Sequence, residues 1–354
     1  MSSGPQLAPK MVELASGIDA LYLSGRCALR PALLESLEYA RVGADERSAP
    51  TPFMFGGYGC WLQPKSLGKY RYWLEHPLAA IGITASENLP AFRVQARAEA
   101  LHSIGAAAVV RWFTGAASNE DLTPSLTVSR LDLHSDWQGW NLNGDDRHRF
   151  VCRSRSLSTY EEDLTLTGFS FGNRRSKTIT ARIYDKTREI AGNGHDWWME
   201  KWGDEFDKEH QVLRVEFEFA RQALGQMGIS TPDDALRQTD RLWAYATQQW
   251  LTQRDPSDHQ RAARWPVAAE WEQIQCSSLA SSALPIERIY AGRSSGDLRR
   301  IRPQLNGWMT TFGAITGHDD IDVACDVLKD HLRVYEHQTQ RSFCDRVRER
   351  RLKR

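Results

Sequence analysis

The sequence predicts an α+β protein with two pseudo-repeated units, each a mainly antiparallel sheet packed by helices, followed by a mostly helical C-terminal region. Hydrophobic residues alternate with period two in several segments of the first 230 residues, as in half-buried strands. Segments with helical spacing lie between and after these strands, and beyond about residue 230 the strand signals fade. The 354 residues, 41% of them hydrophobic, can supply the cores of a two-part fold.

The predicted elements follow from these two periodicities. Alternation predicts strands at 17–23, 52–58, 91–97, 129–136, 163–171, 178–185 and 212–219. Helical spacing predicts helices at 31–43, 98–113 and 231–252. The third helix has Asp233 or Asp234 available as its N-terminal cap. Breaks between the mostly helical C-terminal pieces are expected at Pro256, Pro266, Pro285 and Pro303.

A weak internal repeat relates the two halves of the first 230 residues. The matched segments are IDAL around Asp19 with LDLH around Asp132, GCWLQPKS (59–66) with GFSFGNRRS (168–176), and FRVQARAEAL (92–101) with LRVEFEFARQAL (213–224). This alignment sets Trp73 and Leu74 opposite Tyr184 and Asp185. It predicts a first half, 1–118, that acts as scaffold or holds DNA, a catalytic half, 119–230, and a helical accessory region, 231–354, with a basic tail.

Two predicted strands carry polar side chains on a single face. Period two groups Asp132, His134 and Asp136 on one strand, and Arg214, Glu216 and Glu218 on another. Carboxylates on adjacent strands repel unless a cation lies between them, and oxygen ligands suit Mg²⁺ or Mn²⁺. The alternative is that these are the solvated outer faces of ordinary amphipathic strands.

A tyrosine in RIYDKTRE is a candidate nucleophile. Tyr184 shares a strand face with Arg182 and Lys186, and Asp185 lies beside it. Because a tyrosine has a reference pKa of about 10, it needs a nearby metal, cation or base to act as a nucleophile at neutral pH. The simpler interpretation is a surface strand residue between cations. Tyr160, in RSLSTYEED, is the other tyrosine of this half that competes for the role.

The segment GFSFGNRRSKT (168–178) predicts a glycine-containing turn just before the Tyr184 strand. Its three cations, Arg174, Arg175 and Lys177, are candidate phosphate-binding and DNA-binding residues. The turn lacks the GxxxxGK[ST] order of a nucleotide-binding loop, so it does not indicate ATP binding. A hairpin turn with solvated charges, at Gly172-Asn173, is the alternative.

Composition excludes several classes of protein. The formal net charge is zero, with 45 basic and 45 acidic residues, so any surface that binds DNA must be local. The six cysteines are widely spaced and predict free thiols in a reducing compartment. No apolar stretch of membrane-spanning length and no secretory signal is present, so we expect a cytoplasmic protein. HExxH and His-apolar-His motifs are absent.

Four motifs in order, RLDLHSDW, GFSFGNRRS, RIYDKTRE and LRVEFEFARQAL, resemble those of a known family. It is the replication initiation factor family of filamentous phages and rolling-circle plasmids (Rep_trans type), to which some relaxases of conjugative elements are related. The resemblance runs from about residue 15 to 250 and includes FRVQARAEALHSIG of the first half. It does not cover the C-terminal hundred residues or so.

The resemblance implies a metal-dependent nickase and ligase that starts rolling-circle replication through a 5′ phosphotyrosine. Matched motif by motif, Tyr184 is the nucleophile, and Arg182, Lys186 and Arg214 stabilise the phosphate in the transition state. The implied ligands of Mg²⁺ or Mn²⁺ are Asp132, Glu216 and also Asp136 or Glu218. His134 is a further candidate ligand or proton carrier outside this primary set.

The implied partners are single-stranded or supercoiled origin DNA and host replication proteins such as a helicase, and a homodimer is possible. Two alternatives stay open. One is a relaxase for conjugative transfer, which uses the same chemistry on another DNA. The other is a protein that binds an origin or operator without cutting, for which a nucleophile and paired acids are unnecessary.

Overall fold

Two long strands, β1 (Val12–Arg26) and β7 (Ser125–Gln138), pair antiparallel at the centre of a large sheet in the computed structural model of the chain. The structure describes residues 11–66, 68–173, 178–280, 283–289 and 298–352. It divides into two compact units, Met1–Arg288 and Ile289–Arg354, and the whole sheet belongs to the first. The predicted division at 118 and 230 stays a prediction.

The sheet has eleven strands within the described residues, all paired antiparallel. Besides β1 and β7 they are β2 (Thr51–Phe55), β3 (Tyr58–Leu62), β4 (Tyr72–Glu75), β5 (Ala79–Ile83), β6 (Phe92–Ala96), β9 (Leu157–Glu162), β10 (Thr165–Phe171), β11 (Ile179–Asp185) and β12 (Val212–Ala220). Their order is β2-β3-β4-β5-β6-β1-β7-β12-β11-β10-β9. A short β8 (Phe150–Cys152) pairs with β13 (Leu251–Gln253) outside this sheet.

The strand order shows the same arrangement twice, running outward from the centre. The first half reads β1, β6, β5, β4, β3 and β2, and the second half reads β7, β12, β11, β10 and β9. The predicted α+β class with paired antiparallel units and a helical C-terminal region is therefore confirmed. The matches of β1 with β7 and of β6 with β12 agree with this topology.

The match of GCWLQPKS with GFSFGNRRS in the predicted repeat is wrong by one strand. GCWLQPKS begins on β3, whereas GFSFGNRRS begins on β10, which holds the place of β4. In the second half, Tyr184 pairs with Arg214. The first-half counterpart of Arg214 is Arg93, which pairs with Gly82. Gly82, and not Trp73, is therefore the counterpart of Tyr184. A Cβ at Gly82 would lie 2.9 Å from Cγ of Tyr70. Aromatic rings thus fill the place that Tyr184 occupies in the other half.

Helices flank the sheet and form the C-terminal unit. In the first unit they are α1 (Pro31–Arg47), α2 (Ala98–Ser103), α3 (Ala106–Asn119), α4 (Lys186–Asn193), α5 (Trp197–Trp202), α6 (Arg221–Gln226), α7 (Pro232–Arg237), α8 (Thr239–Tyr245) and α9 (Ala269–Gln275). The second unit contains α10 (Leu298–Thr316), α11 (Ile321–Thr339) and α12 (Phe343–Leu352), and α10 packs against α11. Among the described residues, no helix combines the length and the apolar character needed to span a membrane.

The predicted helices exist, but two of them are divided. Gly105, with φ of 85°, separates α2 from α3 within the predicted 98–113 helix. The predicted 231–252 helix becomes α7, α8 and a π-helical turn that leads into β13. Its cap is Thr231, with Asp234 completing a capping box, and neither aspartate is the cap itself. Pro303 lies inside α10 and does not end it.

All seven predicted strands are present, and the segment at 52–58 contains a turn. Gly56 and Gly57 have φ of 56° and 86° there and connect β2 to β3. The prediction missed β5, because AAIGI is buried at every position and so has no alternation. It also missed β9 and the short strands β4, β8 and β13, and it reached only the first residue of β3.

One face of the second-half sheet forms the core, and the other carries polar groups. Leu131, Leu133, Val215 and Phe217 are fully buried, and Trp243 of α8 meets Phe217 edge-on. The opposite side chains of the same strands are charged. The six cysteines are free, as predicted.

Candidate active site

Seven of the predicted site residues lie in register on the polar face, which we define as the charged face of β7, β12 and β11. Lys186, predicted on the same strand face as Tyr184, instead begins helix α4, because β11 ends at Asp185. Arg214 of β12 lies between Asp136 of β7 and Tyr184 of β11. In the next row of the face, Glu216 lies between His134 and Arg182. In the row after that, Glu218 lies beside Asp132. Several of these side chains are buried, so the alternative of solvated outer faces does not describe them.

Tyr184 is hydrogen-bonded to a buried carboxylate. Its hydroxyl donates to Oε2 of Glu216 at 3.0 Å, and Nη2 of Arg182 donates to Oε1 of the same carboxylate at 2.5 Å. The Arg182 guanidinium lies 5.2 Å from the centre of the Tyr184 ring, and Nζ of Lys186 lies 6.0 Å from it. Glu216 therefore links the tyrosine hydroxyl to a cation.

The surroundings keep the tyrosine protonated. Burial raises the pKa of Tyr184 well above its usual value, and the negative charge of Glu216 raises it further. Arg214 and Arg182 oppose these effects. At neutral pH the hydroxyl is the stable form, so a base must remove its proton if the oxygen is to attack.

Arg214 is fully buried and held by two carboxylates. Its Nε and Nη2 donate to the two oxygens of Asp136 at 2.6 and 2.8 Å, and its Nη1 donates to Asp19 at 2.8 Å. Trp202 of α5 donates to Asp136 at 2.8 Å. Burial opposes the ionisation of Asp136, yet the Arg214 charge holds the pKa of that carboxyl well below its usual range. The guanidinium also lies 4.0 Å from the ring centre of Trp198.

Arg130 is a site residue that the sequence prediction missed. Its Nε donates to Asp132 at 2.8 Å, and its Nη2 contacts both Asp132 and Glu218, the latter at 3.1 Å. Burial raises the pKa of Asp132 to about 7, against the opposing charge of Arg130. Arg130 lies two residues before Asp132, on the same strand face, and this spacing was the available signal.

The structure does not gather the four predicted metal ligands around one point. Asp136 is paired with Arg214, Glu216 with Arg182, and Asp132 and Glu218 share Arg130. Among the described residues, the group with ligand atoms all within 4.8 Å of one another is Asp19, His102 and His134. We call these three residues the histidine cluster.

The histidine cluster joins both halves of the sheet. Asp19 lies at a register shift of β1, His102 on α2 and His134 on β7. The sequence named His134 as a secondary candidate, and Asp19 appeared only in the repeat segment matched to that of Asp132. It gave no role to His102, because only the fold brings α2 against β1. Burial lowers the pKa of His102 to about 3, so its imidazole is neutral at neutral pH.

Helix α5 covers this part of the polar face with tryptophans. The ring of Trp198 meets the rings of His102 and His134 edge-on, at 4.7 and 5.3 Å between centres. Trp197 stacks on Trp198 at 4.2 Å, and Nζ of Lys186 lies 5.1 Å from the Trp198 ring. These aromatic rings lower the local dielectric and so strengthen the charge interactions beneath them.

A cleft of about 690 Å³ opens beside Tyr184 and is lined by residues of β9, β10 and β11. Gly168 of β10 pairs with Tyr184 on one side and with Tyr160 on the other. Tyr160 lines the same cleft and is 54% exposed. The predicted DNA-binding residues Arg174, Arg175 and Lys177 lie outside the described residues, although Asn173 lines the cleft just before them.

Comparison of the sequence with protein-family models and with curated protein sequences gives no match. Among solved structures, the chain is similar to a rolling circle replication initiator protein from Geobacillus stearothermophilus, with a TM-score of 0.45 and 13% sequence identity. The similarity covers 77% of this chain and 98% of that chain. At this level of similarity, function has to be argued from the side chains of the site.

Proposed function

We propose that the protein nicks and rejoins single-stranded DNA at a replication origin through Tyr184, as an initiator of rolling-circle replication. The observation that carries this proposal is the hydrogen bond of 3.0 Å from the Tyr184 hydroxyl to buried Glu216. A tyrosine paired with a carboxylate beside an open cleft has both a base and room for a substrate. A protein that only binds DNA has no need of this pair.

The reaction is a transesterification at phosphorus. The Tyr184 oxygen attacks the scissile phosphate, its proton passes to Glu216, and the bond from phosphorus to the 3′ oxygen breaks. The products are a phosphotyrosine at the 5′ end and a free 3′ hydroxyl that can prime synthesis. Because the phosphotyrosine is still an ester, attack by a 3′ hydroxyl reverses the reaction and rejoins the strand.

The cations of the polar face receive separate roles in this proposal. Arg182 orients Glu216 and, being partly exposed, can reach a phosphate in the cleft. Lys186 is a candidate proton donor to the leaving oxygen, since burial lowers its pKa and Arg214 lowers it further. For Arg214 we propose a positioning role, because its nitrogens bond Asp136 and Asp19 beneath the surface.

Two further elements belong to the proposal. The histidine cluster has the residues to hold a divalent ion, which when bound would supply positive charge within the polar face. Arg174, Arg175 and Lys177, next in the chain after the cleft residue Asn173, stay predicted contacts to the DNA backbone.

The test uses a supercoiled plasmid that carries the chain's own gene with its flanking DNA, and single-stranded oligonucleotides from the same region, with Mg²⁺ or Mn²⁺. Labelling either end of the oligonucleotide identifies the linkage. We expect the 3′ label to remain with the protein in a denaturing gel and the 5′ label to be released with the free 3′ hydroxyl.

Matched variants identify the groups that act. Tyr184→Phe should abolish the covalent product, while Tyr160→Phe, in the same cleft, should retain it. Glu216→Gln should slow nicking by at least about a hundredfold, as loss of a general base does. An adduct formed by Tyr184→Phe would refute the nucleophile, and DNA binding without any adduct would favour the protein that binds without cutting.

A further inference from the structure

We propose that Asp19, His102 and His134 form a divalent-metal site for which imidazole nitrogen supplies two of the three protein ligands. The three ligand atoms lie within 4.8 Å of one another, a spacing that a single ion can bridge. This differs from the acidic set that the family resemblance implies, whose carboxylates are divided among Arg214, Arg182 and Arg130. Asp19 also accepts from Arg214, at 2.8 Å, but its carboxylate lies close to both histidines. The proposed nicking reaction gives the site its role, but metal binding can be measured without it.

The two histidines each present a buried nitrogen that lacks a protein partner. Among the described residues, neither Nε2 of His102 nor Nε2 of His134 has a hydrogen-bond partner, and His134 is completely buried. A buried polar atom without a partner costs about 1–3 kcal/mol. A metal ion bound to both nitrogens would satisfy them.

The second nitrogen of His134 is already positioned for this role. Nδ1 lies 3.2 Å from Oδ1 of Asp136, whose two carboxylate oxygens also accept hydrogen bonds from Nε and Nη2 of Arg214. The carboxylate can only accept, so Nδ1 carries the proton and the lone pair of Nε2 is free for a metal. A carboxylate that holds the far nitrogen of a ligating histidine is a common feature of metal sites.

The backbone of β1 makes room for the cluster. Gly17 pairs with His134 across the two central strands, and a Cβ on Gly17 would lie 3.3 Å from Cε1 of His102. Two residues later, the register between β1 and β7 shifts at Asp19. Such an irregularity redirects a strand side chain, and here the Asp19 carboxylate comes within 3.9 Å of Nε2 of His102.

The donor set indicates which ions fit. Two imidazole nitrogens and one carboxylate suit Mn²⁺, Co²⁺ or Zn²⁺, whereas Mg²⁺ prefers oxygen ligands and retains its waters. The Trp198 ring beside both histidines shields the site from solvent. We therefore expect the site to bind a transition-metal ion in preference to Mg²⁺.

The experiment is a titration of the full-length, chelator-treated protein with Co²⁺, followed by visible absorption and, separately, by the melting temperature. We expect one equivalent of Co²⁺ to produce a d–d absorption band, a higher melting temperature, and no displacement by equimolar Mg²⁺. His102→Ala should weaken Co²⁺ binding at least tenfold. His102→Gln should also weaken Co²⁺ binding while keeping a side chain of similar size. The control is His210→Ala, at an exposed histidine, which should leave Co²⁺ binding unchanged.

Asp132→Asn separates this site from the acidic alternative. Unchanged Co²⁺ binding in that variant supports the histidine cluster, whereas loss in Asp132→Asn with retention in both His102 variants would overturn it. Failure of the wild-type protein to bind Co²⁺, Mn²⁺ or Zn²⁺ would also overturn it. If the protein forms the DNA adduct but does not bind Co²⁺ at this site, only the metal inference is refuted. If it binds Co²⁺ but forms no adduct, only the nickase proposal is refuted.

Discussion

At the scale of single residues, the polar face is a network in which cations and carboxylates alternate. Arg214 lies between Asp136 and Asp19, Arg182 binds Glu216, and Arg130 binds Asp132 and Glu218. A charge buried in this way is tolerated because its partner is in hydrogen-bonding contact, and it becomes costly when the partner is removed. Stability and the proposed chemistry therefore involve the same side chains.

Loss of Arg214 should destabilise the protein strongly. Arg214→Leu leaves Asp136 as a buried carboxylate without its main cation, and breaking such a pair costs about 3–5 kcal/mol. Urea unfolding followed by tryptophan fluorescence measures the change. Arg71→Ala is the matched control, since its pair with Glu38 is exposed and such pairs contribute about 0–1 kcal/mol. Equal effects of the two substitutions would contradict the importance of the buried pair.

At the scale of elements, strand register decides which side chains meet. One row across β9, β10 and β11 contains Tyr160, Gly168 and Tyr184. The glycine is required by close approach, because a Cβ there would lie 2.4 Å from the Ile183 carbonyl oxygen and 2.9 Å from the Tyr184 Cβ. The absent side chain leaves the two tyrosines on either side of an open cleft.

Gly168→Ala should displace β11 and with it Tyr184, the proposed nucleophile. We expect at least a tenfold loss of covalent adduct and a destabilisation of about 1–3 kcal/mol, as for other overpacked positions. Both are measured on the same preparation, by denaturing gel and by urea unfolding. Gly59→Ala on β3 is the control, since nothing lies within 4 Å of its new Cβ. Full adduct formation by Gly168→Ala would show that the strand tolerates the side chain.

At the scale of the whole molecule, burial divides the cysteines by reactivity. Cys276 and Cys344 are exposed, whereas burial raises the pKa of the Cys60 and Cys152 thiols to about 11. The thiolate is the reactive form. A thiol with a pKa of about 11 is ionised in roughly one molecule in a thousand at pH 8.

A short pulse of iodoacetamide at pH 8, read by mass spectrometry, should therefore label Cys276 and Cys344 first. The pKa of Cys60 and Cys152 is raised, so their thiolate fraction should increase as the pH rises towards 11. Between pH 8 and 9.5 we expect their labelling rate to rise about thirtyfold. Labelling of Cys60 at pH 8 as rapid as that of Cys276 would contradict its burial.

The two halves of the sheet form a pseudo-repeat across the whole molecule, and a difference between them explains why one half carries the candidate chemistry. The two halves present matched strands outward from β1 and β7. Where the second half has Tyr184, the first has Gly82 beneath the rings of Tyr70 and Trp73. The sequence comparison detected the repeat but shifted the outer strands by one, because short buried strands such as β5 have no alternation to align.

The sequence by itself determined the α+β class, the long strands and the residues that share a strand face, because side-chain direction follows from a local period of two. It placed Tyr184 and Glu216 on polar faces for the same reason. Only the tertiary structure decided that Glu216 meets Tyr184, that Arg130 holds Asp132, and that His102 joins Asp19 and His134. Those pairings depend on strand register and on helix packing across the sheet, which arise from contacts between residues distant in the chain.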